Sequence, residues 1–268
     1  MTAQSTLDEI GTDTNTFYRR TLHVLSDAHV PFLVGGSHAY LQYTGIVRNT
    51  KDFDLFVRRS DLDRALEALR DAGYRTEITF SHWLAKAYQA GDHVDLVFSS
   101  GNGLARVDDA WFEHALEADV LGMPVKIAPI EEFLWQKSFV MERERFDGAD
   151  VMHLMLHCAD SIDWERLLTR FDSRWQLLLA YCTLFTFVYP SERNRIPTTV
   201  FDELMERQRR ELAGPVDPEK VCRGTLTSRA QYMIDIGQYG FSDARLQPRG
   251  NMTPEDVIYW TWAIENID

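Results

Sequence analysis

Hydrophobic and polar positions alternate between two periods in the first half of the chain. The opening residues 1–14 are polar and read as a loose leader. From Thr16 to about His29 the apolar residues Phe17, Leu22, Val24, Leu25 and Ala28 recur at helical spacing, predicting an amphipathic helix. Pro31-Phe32-Leu33-Val34 is a short apolar run that stops at Gly35-Gly36-Ser37, predicting a strand, a glycine turn and a helix that starts near Ser37. Lys51–Val57 alternates charged and apolar residues, as a strand with one wet face does. Ser60 is expected to cap the helix DLDRALEALRDAG, with Asp63 at the capping-box position and Gly73 at its end. Tyr74–Phe80, His93–Phe98 and Pro124–Ala128 read as further strands, with a turn-rich Ser99–Gly103 after the second. Pro129 is expected to open a long helix, IEEFLWQKSFVMERERF. From Asp150 onward the pattern is almost entirely helical, broken near Pro190, Gly214-Pro215 and the glycines at 237, 240 and 250. Thr253-Pro254-Glu255-Asp256 is a helix start, with Thr as N-cap and Pro at the first helical position. Strands crowd the first half and helices the second, so the fold class predicted is α+β: a mixed β-sheet flanked by helices, then a mostly helical C-terminal domain. The boundary falls near 145–160, giving domains 1–150 and 151–268.

Composition narrows the function classes. The 268 residues are 45% hydrophobic and 26% charged, and 15 Gly with 9 Pro exclude collagen-like and low-complexity chains. A formal net charge of −13 disfavours broad nucleic-acid binding and leans towards cationic partners. Three widely spaced cysteines, Cys158, Cys182 and Cys222, show no metal-type pairing and suit a reduced, cytoplasmic compartment. The N-terminus has no basic n-region or apolar h-region, so no secretory signal is expected. The longest apolar stretch, Trp175–Tyr189, is too short to span a bilayer and reads as a buried core helix.

Candidate chemistry concentrates in the strand-rich half. Asp52 and Asp54 are two apart in a strand, so both project from one face while Phe53 and Leu55 point into a core. Two like charges held this close indicate a divalent cation or a shared proton, unless the strand is a solvated edge. Asp95, in HVDLVF, is a third carboxylate in an apolar strand, and three acids on adjacent strands suit one or two Mg²⁺ ions. Gly35-Gly36-Ser37, at a strand-to-helix junction, is a natural anion seat. An anion seat beside a carboxylate cluster is the equipment of phosphoryl or nucleotidyl transfer. Asp150, His153 and His157 share one helical face, either as a second metal site or as polar packing between domains. Arg48 and Thr50 are placed either to touch substrate or to cap a loop. Arg143 and Arg145 alternate with Glu142 and Glu144, the pattern of a solvated helix face. The segment Cys222–Arg229 is small and polar with two arginines, either a binding loop or an interdomain connector. Trp164, Trp175, Trp260 and Trp262 are expected in the core.

The string LVGGSHAYLQYTGIVRNTKDFDLFV resembles the signature of the DNA polymerase β-like nucleotidyltransferase superfamily: Gly-Gly-Ser, a helix, then Asp-x-Asp on a strand, with Asp95 matching the third acid. PIEEFLWQKSFVMERERFDGADVMHL is also similar to the family's small bacterial members, and the resemblance spans roughly residues 20–160. It implies that Gly35, Gly36 and Ser37 contact nucleotide phosphates, that Asp52, Asp54 and Asp95 ligate Mg²⁺ (or Mn²⁺), and that Asp95 also activates the acceptor hydroxyl. Lys137 would face the phosphates. The implied reaction is attack of an acceptor hydroxyl on the α-phosphorus of an NTP, ATP among them, with release of pyrophosphate. The acceptor stays open between a small molecule such as an aminoglycoside-like antibiotic and the tRNA or protein targets of toxin-type members. A non-catalytic nucleotide-binding protein is the alternative of a different class.

Overall fold

The computed structural model describes residues 12–48, 52–246 and 251–263. The expected leader lies outside the described residues up to position 11, and the first helix, α1 (Thr12–Asp27), already covers its end. The chain divides into two compact units, 1–129 and 130–268, rather than at 150. The division falls earlier because the helix after Pro129 packs against the helices that follow it.

The first unit is built on a seven-stranded mixed sheet in the order β3-β4-β5-β2-β1-β7-β6. Its strands are β1 (Leu33–Val34), β2 (Asp54–Phe56), β3 (Arg75–Phe80), β4 (Leu84–Gln89), β5 (Asp92–Val97), β6 (Leu116–Val120) and β7 (Met123–Ile127). The helices are α1, α2 (Gly36–Thr44), α3 (Arg59–Asp71) and the short α4 (Asp109–Glu113). β2 pairs with β5 and β1 with β7 in parallel, and the remaining neighbours are antiparallel. Registered residues share a face, so one row across the sheet reads Ala85, Leu96, Leu55, Val34 and Ile127, all buried. The adjacent row, one residue earlier on β2 and β5, reads Lys86, Asp95, Asp54 on the opposite face. α1 and α3 pack together through core residues that include Leu22, Leu25, Leu62 and Leu66, placed at helical spacing.

Three local expectations change. Asp52 precedes β2 instead of lying in it, while Lys51 and Thr50 lie outside the described residues. α3 starts at Arg59 with Arg58 as N-cap, so Ser60 is inside the first turn and Asp61, not Asp63, binds Arg58 and Arg64 there. β4 and β6 are additional strands, each joined to the next by a two-residue turn with both central residues at positive φ: Ala90-Gly91 and Leu121-Gly122.

The second unit holds α5 (Ile130–Lys137), α6 (Gly148–Cys158), α7 (Trp164–Phe171), α8 (Trp175–Val188), α9 (Thr198–Ala213), α10 (Met233–Gly237) and α11 (Pro254–Trp262), with a small β8 (Val221–Cys222) and β9 (Ser242–Asp243) pair. α5 packs on α6 and α7, and α8 packs on α6, α7 and α9. Two carboxylates on α5 are buried and neutralised by α7: Arg166 bonds both Glu131 and Glu132, and Arg170 Nε donates to Glu132 at 2.7 Å. The long helix expected to Phe146 stops at Lys137. Met141 and Phe146 bridge instead, and Glu142 accepts from Ser228 Oγ (2.7 Å) and the Arg229 amide (2.8 Å). Those tertiary bonds outweigh helix propensity, so residues 142–145 form a turn and not a helix face. They also give Cys222–Arg229 a structural partner. Thr253 caps α11 with Pro254 in its first turn, as the sequence predicts, and Asp256 completes a capping box. α8 buries Trp175, Leu178, Tyr181, Cys182 and Phe185 but leaves Phe187 exposed, and Trp262 is exposed rather than core. Among the described residues no helix is long and apolar enough to cross a membrane.

Candidate functional site

The first unit gathers six of the seven sequence-nominated residues. β1 ends at Val34, and the Gly35 amide donates to the Asp54 carbonyl at 2.9 Å, tying the glycine turn to β2. Gly36 has φ +53°, and a Cβ there would stand 1.9 Å from Asp54 Oδ2; one on Gly35 would meet the Phe56 ring at 2.1 Å. Both positions are therefore glycine by contact, and the Asp54 carboxylate sits directly on the turn. α2 starts at Gly36 with no side-chain cap, so its first amides are left to other partners, and Ser37 is half-buried beside them.

Sheet register brings the acids together. Asp54 pairs with Asp95 across β2 and β5, and the Asp95 amide donates to the Phe53 carbonyl at 2.9 Å. His93 Nε2 lies 3.5 Å from Asp52 Oδ1 and 3.6 Å from Asp95 Oδ1, while Lys86 Nζ lies 2.9 Å from that same Asp95 oxygen. The Lys86 contact is an ion pair, and the Asp95 Oδ1 oxygen and His93 Nε2 are both shut off from solvent. Burial raises the Asp95 carboxyl above the usual carboxylate range, and the Lys86 ammonium only partly offsets it. Beneath the acids Tyr18 stacks on Phe53 at 4.5 Å, and His38 meets Phe53 edge-on at 4.8 Å. Burial first, then the charges of Asp92, Asp52, Asp54 and Asp95, push the Tyr18 phenol up to about 12. Burial alone lowers His38 to about 4, so it is neutral.

Lys137 belongs to the second unit. Its ammonium is bound by Asp150 at 2.7 Å and Asp147 at 3.0 Å, and burial of Asp147 is outweighed by Arg145 and Lys137, which hold its carboxyl low. Asp150 is thus a buried partner of Lys137, and His157 on the same helix is exposed, so the face expected from spacing is not one site. Arg48 covers the Tyr40 ring at 4.3 Å, and Thr50 lies outside the described residues. Among the described residues no group of three or more His, Cys, Asp or Glu side chains is gathered so as to hold a metal ion by itself. A shallow groove of about 500 Å³ between α1 and α3, lined by Asp27, Arg64, Glu67 and Asp71 among others, shares no residue with the acids.

Sequence reasoning missed Lys86, His93 and Tyr18. The alternation of LAKAYQ carried the signal for Lys86, and HVD placed His93 two residues from Asp95 on the same face.

A family model described as "Nucleotidyl transferase of unknown function (DUF2204)" matches residues 14–168. No curated protein matches the sequence. Among solved structures, the chain is similar to the antibiotic-resistance factor ANT(2'')-Ia at 18% identity and TM-score 0.46, covering 62% of this chain and 95% of that one. It is similar to the lincosamide antibiotic adenylyltransferase LnuA, solved with lincomycin, at 16% identity and TM-score 0.39, covering 53% and 96%. It is also similar to an antigenic nucleotidyltransferase-like protein from Paracoccidioides brasiliensis at 16% identity and TM-score 0.46, covering 71% and 98%.

Proposed function

Because the chain belongs to the nucleotidyl transferase family whose model spans residues 14–168, we propose that it transfers an NMP from an NTP to an acceptor hydroxyl, dependent on Mg²⁺. The observation that carries this reading is the seat of the Asp54 carboxylate on Gly36, at the uncapped start of α2, in register with Asp95. It puts an anion-binding backbone and carboxylate oxygens at one place, which an ordinary solvated strand does not need.

The residues fit a hard divalent ion. Asp52 and Asp54 supply hard oxygen ligands, and Mg²⁺ commonly takes one or two carboxylates with water and substrate phosphates completing its shell. A three-residue protein cage is therefore unnecessary. When bound, the ion would neutralise charge on the reacting phosphates. The backbone amides of Gly36 and Ser37 would hold the β,γ-phosphates at the helix start. The acceptor oxygen attacks the α-phosphorus, the bond from that phosphorus to its bridging oxygen breaks, and pyrophosphate leaves with the electron pair. The acceptor proton passes to the Asp95 carboxylate, whose raised pKa suits a base. A net charge of −13 favours a cationic small acceptor over a nucleic-acid backbone. Such an acceptor would resemble the aminoglycoside in the solved ANT(2'')-Ia complex with adenylyl-2''-tobramycin.

The test is a thermal-shift panel of ATP, GTP, CTP and UTP with and without Mg²⁺, followed by pyrophosphate release on a panel of hydroxyl acceptors. A nucleotide at about 100 times its Kd stabilises by roughly 2.7 kcal/mol, a rise of several degrees. Asp54→Asn should keep the fold and lose the Mg²⁺-dependent shift. An Asp54→Asn protein that binds Mg²⁺-nucleotide like the parent would refute the site.

A further inference from the structure

We infer that Lys86 stands in for a second metal ion, so that the site holds one divalent ion on Asp52 and Asp54 while Asp95 is paired with Lys86 and is not a ligand. This rests on the function proposed above and specifies how its site is charged.

The first support is positional. Lys86 and Asp95 are direct cross-strand partners on β4 and β5, and their register is set by the two-residue turn at Ala90-Gly91, three pairs away. Next in the same row, across β5, comes Asp54. The ammonium is thus built into the sheet and is not a mobile surface group; its side chain is 21% exposed and that of Asp95 13%.

The second support is coordination. Asp95 Oδ1 lies 2.9 Å from Lys86 Nζ and 3.6 Å from His93 Nε2 and is closed to solvent. A second cation bound there would stand against an ammonium, and like charges a few ångströms apart in a half-buried site repel strongly. The third support is charge balance. Three carboxylates are neutralised by one divalent ion plus one lysine. This arrangement also agrees with the lack of a gathered three-ligand metal cluster among the described residues.

The experiment is electron paramagnetic resonance of Mn²⁺ bound to the full chain with one equivalent of α,β-methylene-ATP, with ultrafiltration to measure affinity. Wild type should give the spectrum of a single uncoupled Mn²⁺, and Asp95→Asn should hold that ion within about twofold of wild-type affinity. Lys86→Met should admit a second ion and show the spin coupling of two ions about 3.5–4 Å apart, whereas Lys86→Arg should keep the single ion. A coupled pair in wild type overturns the inference and leaves the transferase reading intact. So does a tenfold or greater loss of affinity in Asp95→Asn, or a folded Lys86→Met that still binds one ion. If Lys86→Met does not fold, wild type and Asp95→Asn still decide the matter. No protein-bound Mn²⁺ in wild type refutes the reading of Asp52 and Asp54, and with it this inference.

Discussion

Replacing Gly36 with alanine tests the central contact of the site, and Gly45 provides its internal control. Both glycines have positive φ, +53° and +69°. A Cβ at Gly45 would meet nothing within 4 Å, whereas one at Gly36 would lie 1.9 Å from Asp54 Oδ2 and 2.9 Å from its Cγ. Left-handed backbone costs an alanine roughly 1–2 kcal/mol at either position. Gly45→Ala should therefore lose about that much stability and bind Mg²⁺-nucleotide normally. Gly36→Ala carries the same backbone cost and must also push the Asp54 carboxylate off the turn, since real Cβ contacts below 3.0 Å are essentially never seen. Nucleotide affinity should then fall by about tenfold or more, equivalent to roughly 1.4 kcal/mol. Urea denaturation reads the stabilities, and calorimetric titration with Mg²⁺ and the unhydrolysed analogue reads the binding. Equal affinities in the two variants would show that the seat of Asp54 on Gly36 does not matter for nucleotide, and the site argument would fail with it.

Two further outcomes follow from buried charges. His38 is held neutral by burial down to about 4, whereas an unfolded chain takes up that proton near 6.5. The unfolded state therefore binds more protons between those values, and stability falls as pH drops through the window from about 6.5 to about 4. The total is of the order of 3 kcal/mol. Comparing urea midpoints of wild type and His38→Phe across pH 7 to 4 should show a shallower loss in the variant; parallel curves would contradict the buried neutral assignment. In the second unit, Glu132→Gln removes a fully buried carboxylate that binds both Arg166, which keeps Glu131, and Arg170. It should cost about 3–5 kcal/mol by urea denaturation, and a loss below about 1 kcal/mol would mean that solvent reaches the pair.

How much was legible in the sequence depended on how local its cause was. Gly35-Gly36-Ser37 and the strand positions of Asp54 and Asp95, though not that of Asp52, were readable because a glycine turn, a helix start and period-two alternation are each determined within a few residues. The N-cap at Thr253 and the proline after it were readable for the same reason. The helix after Pro129 was not, because Glu142 is drawn to Ser228 and Arg229, which are far along the chain. β4 was missed because its turn carries Ala90 at φ +52°, where Asn or Asp is the usual signal, so the hairpin had no local mark.

Fold class and the chemical identity of the acids were determined by the sequence alone, since each follows from side-chain period and local pattern, whereas the contacts with Asp54 and Phe56 that exclude a side chain at Gly36 and Gly35 come from the assembled sheet. Which groups meet was decided only by tertiary structure. Asp54 finds Asp95 through a parallel pairing of strands about forty residues apart, and Lys86 reaches Asp95 through the register of the neighbouring hairpin. A strand's pattern says which face a residue occupies, but hydrogen bonding between strands chooses its neighbour. That choice places an ammonium on the third acid, and it was invisible until the sheet was assembled.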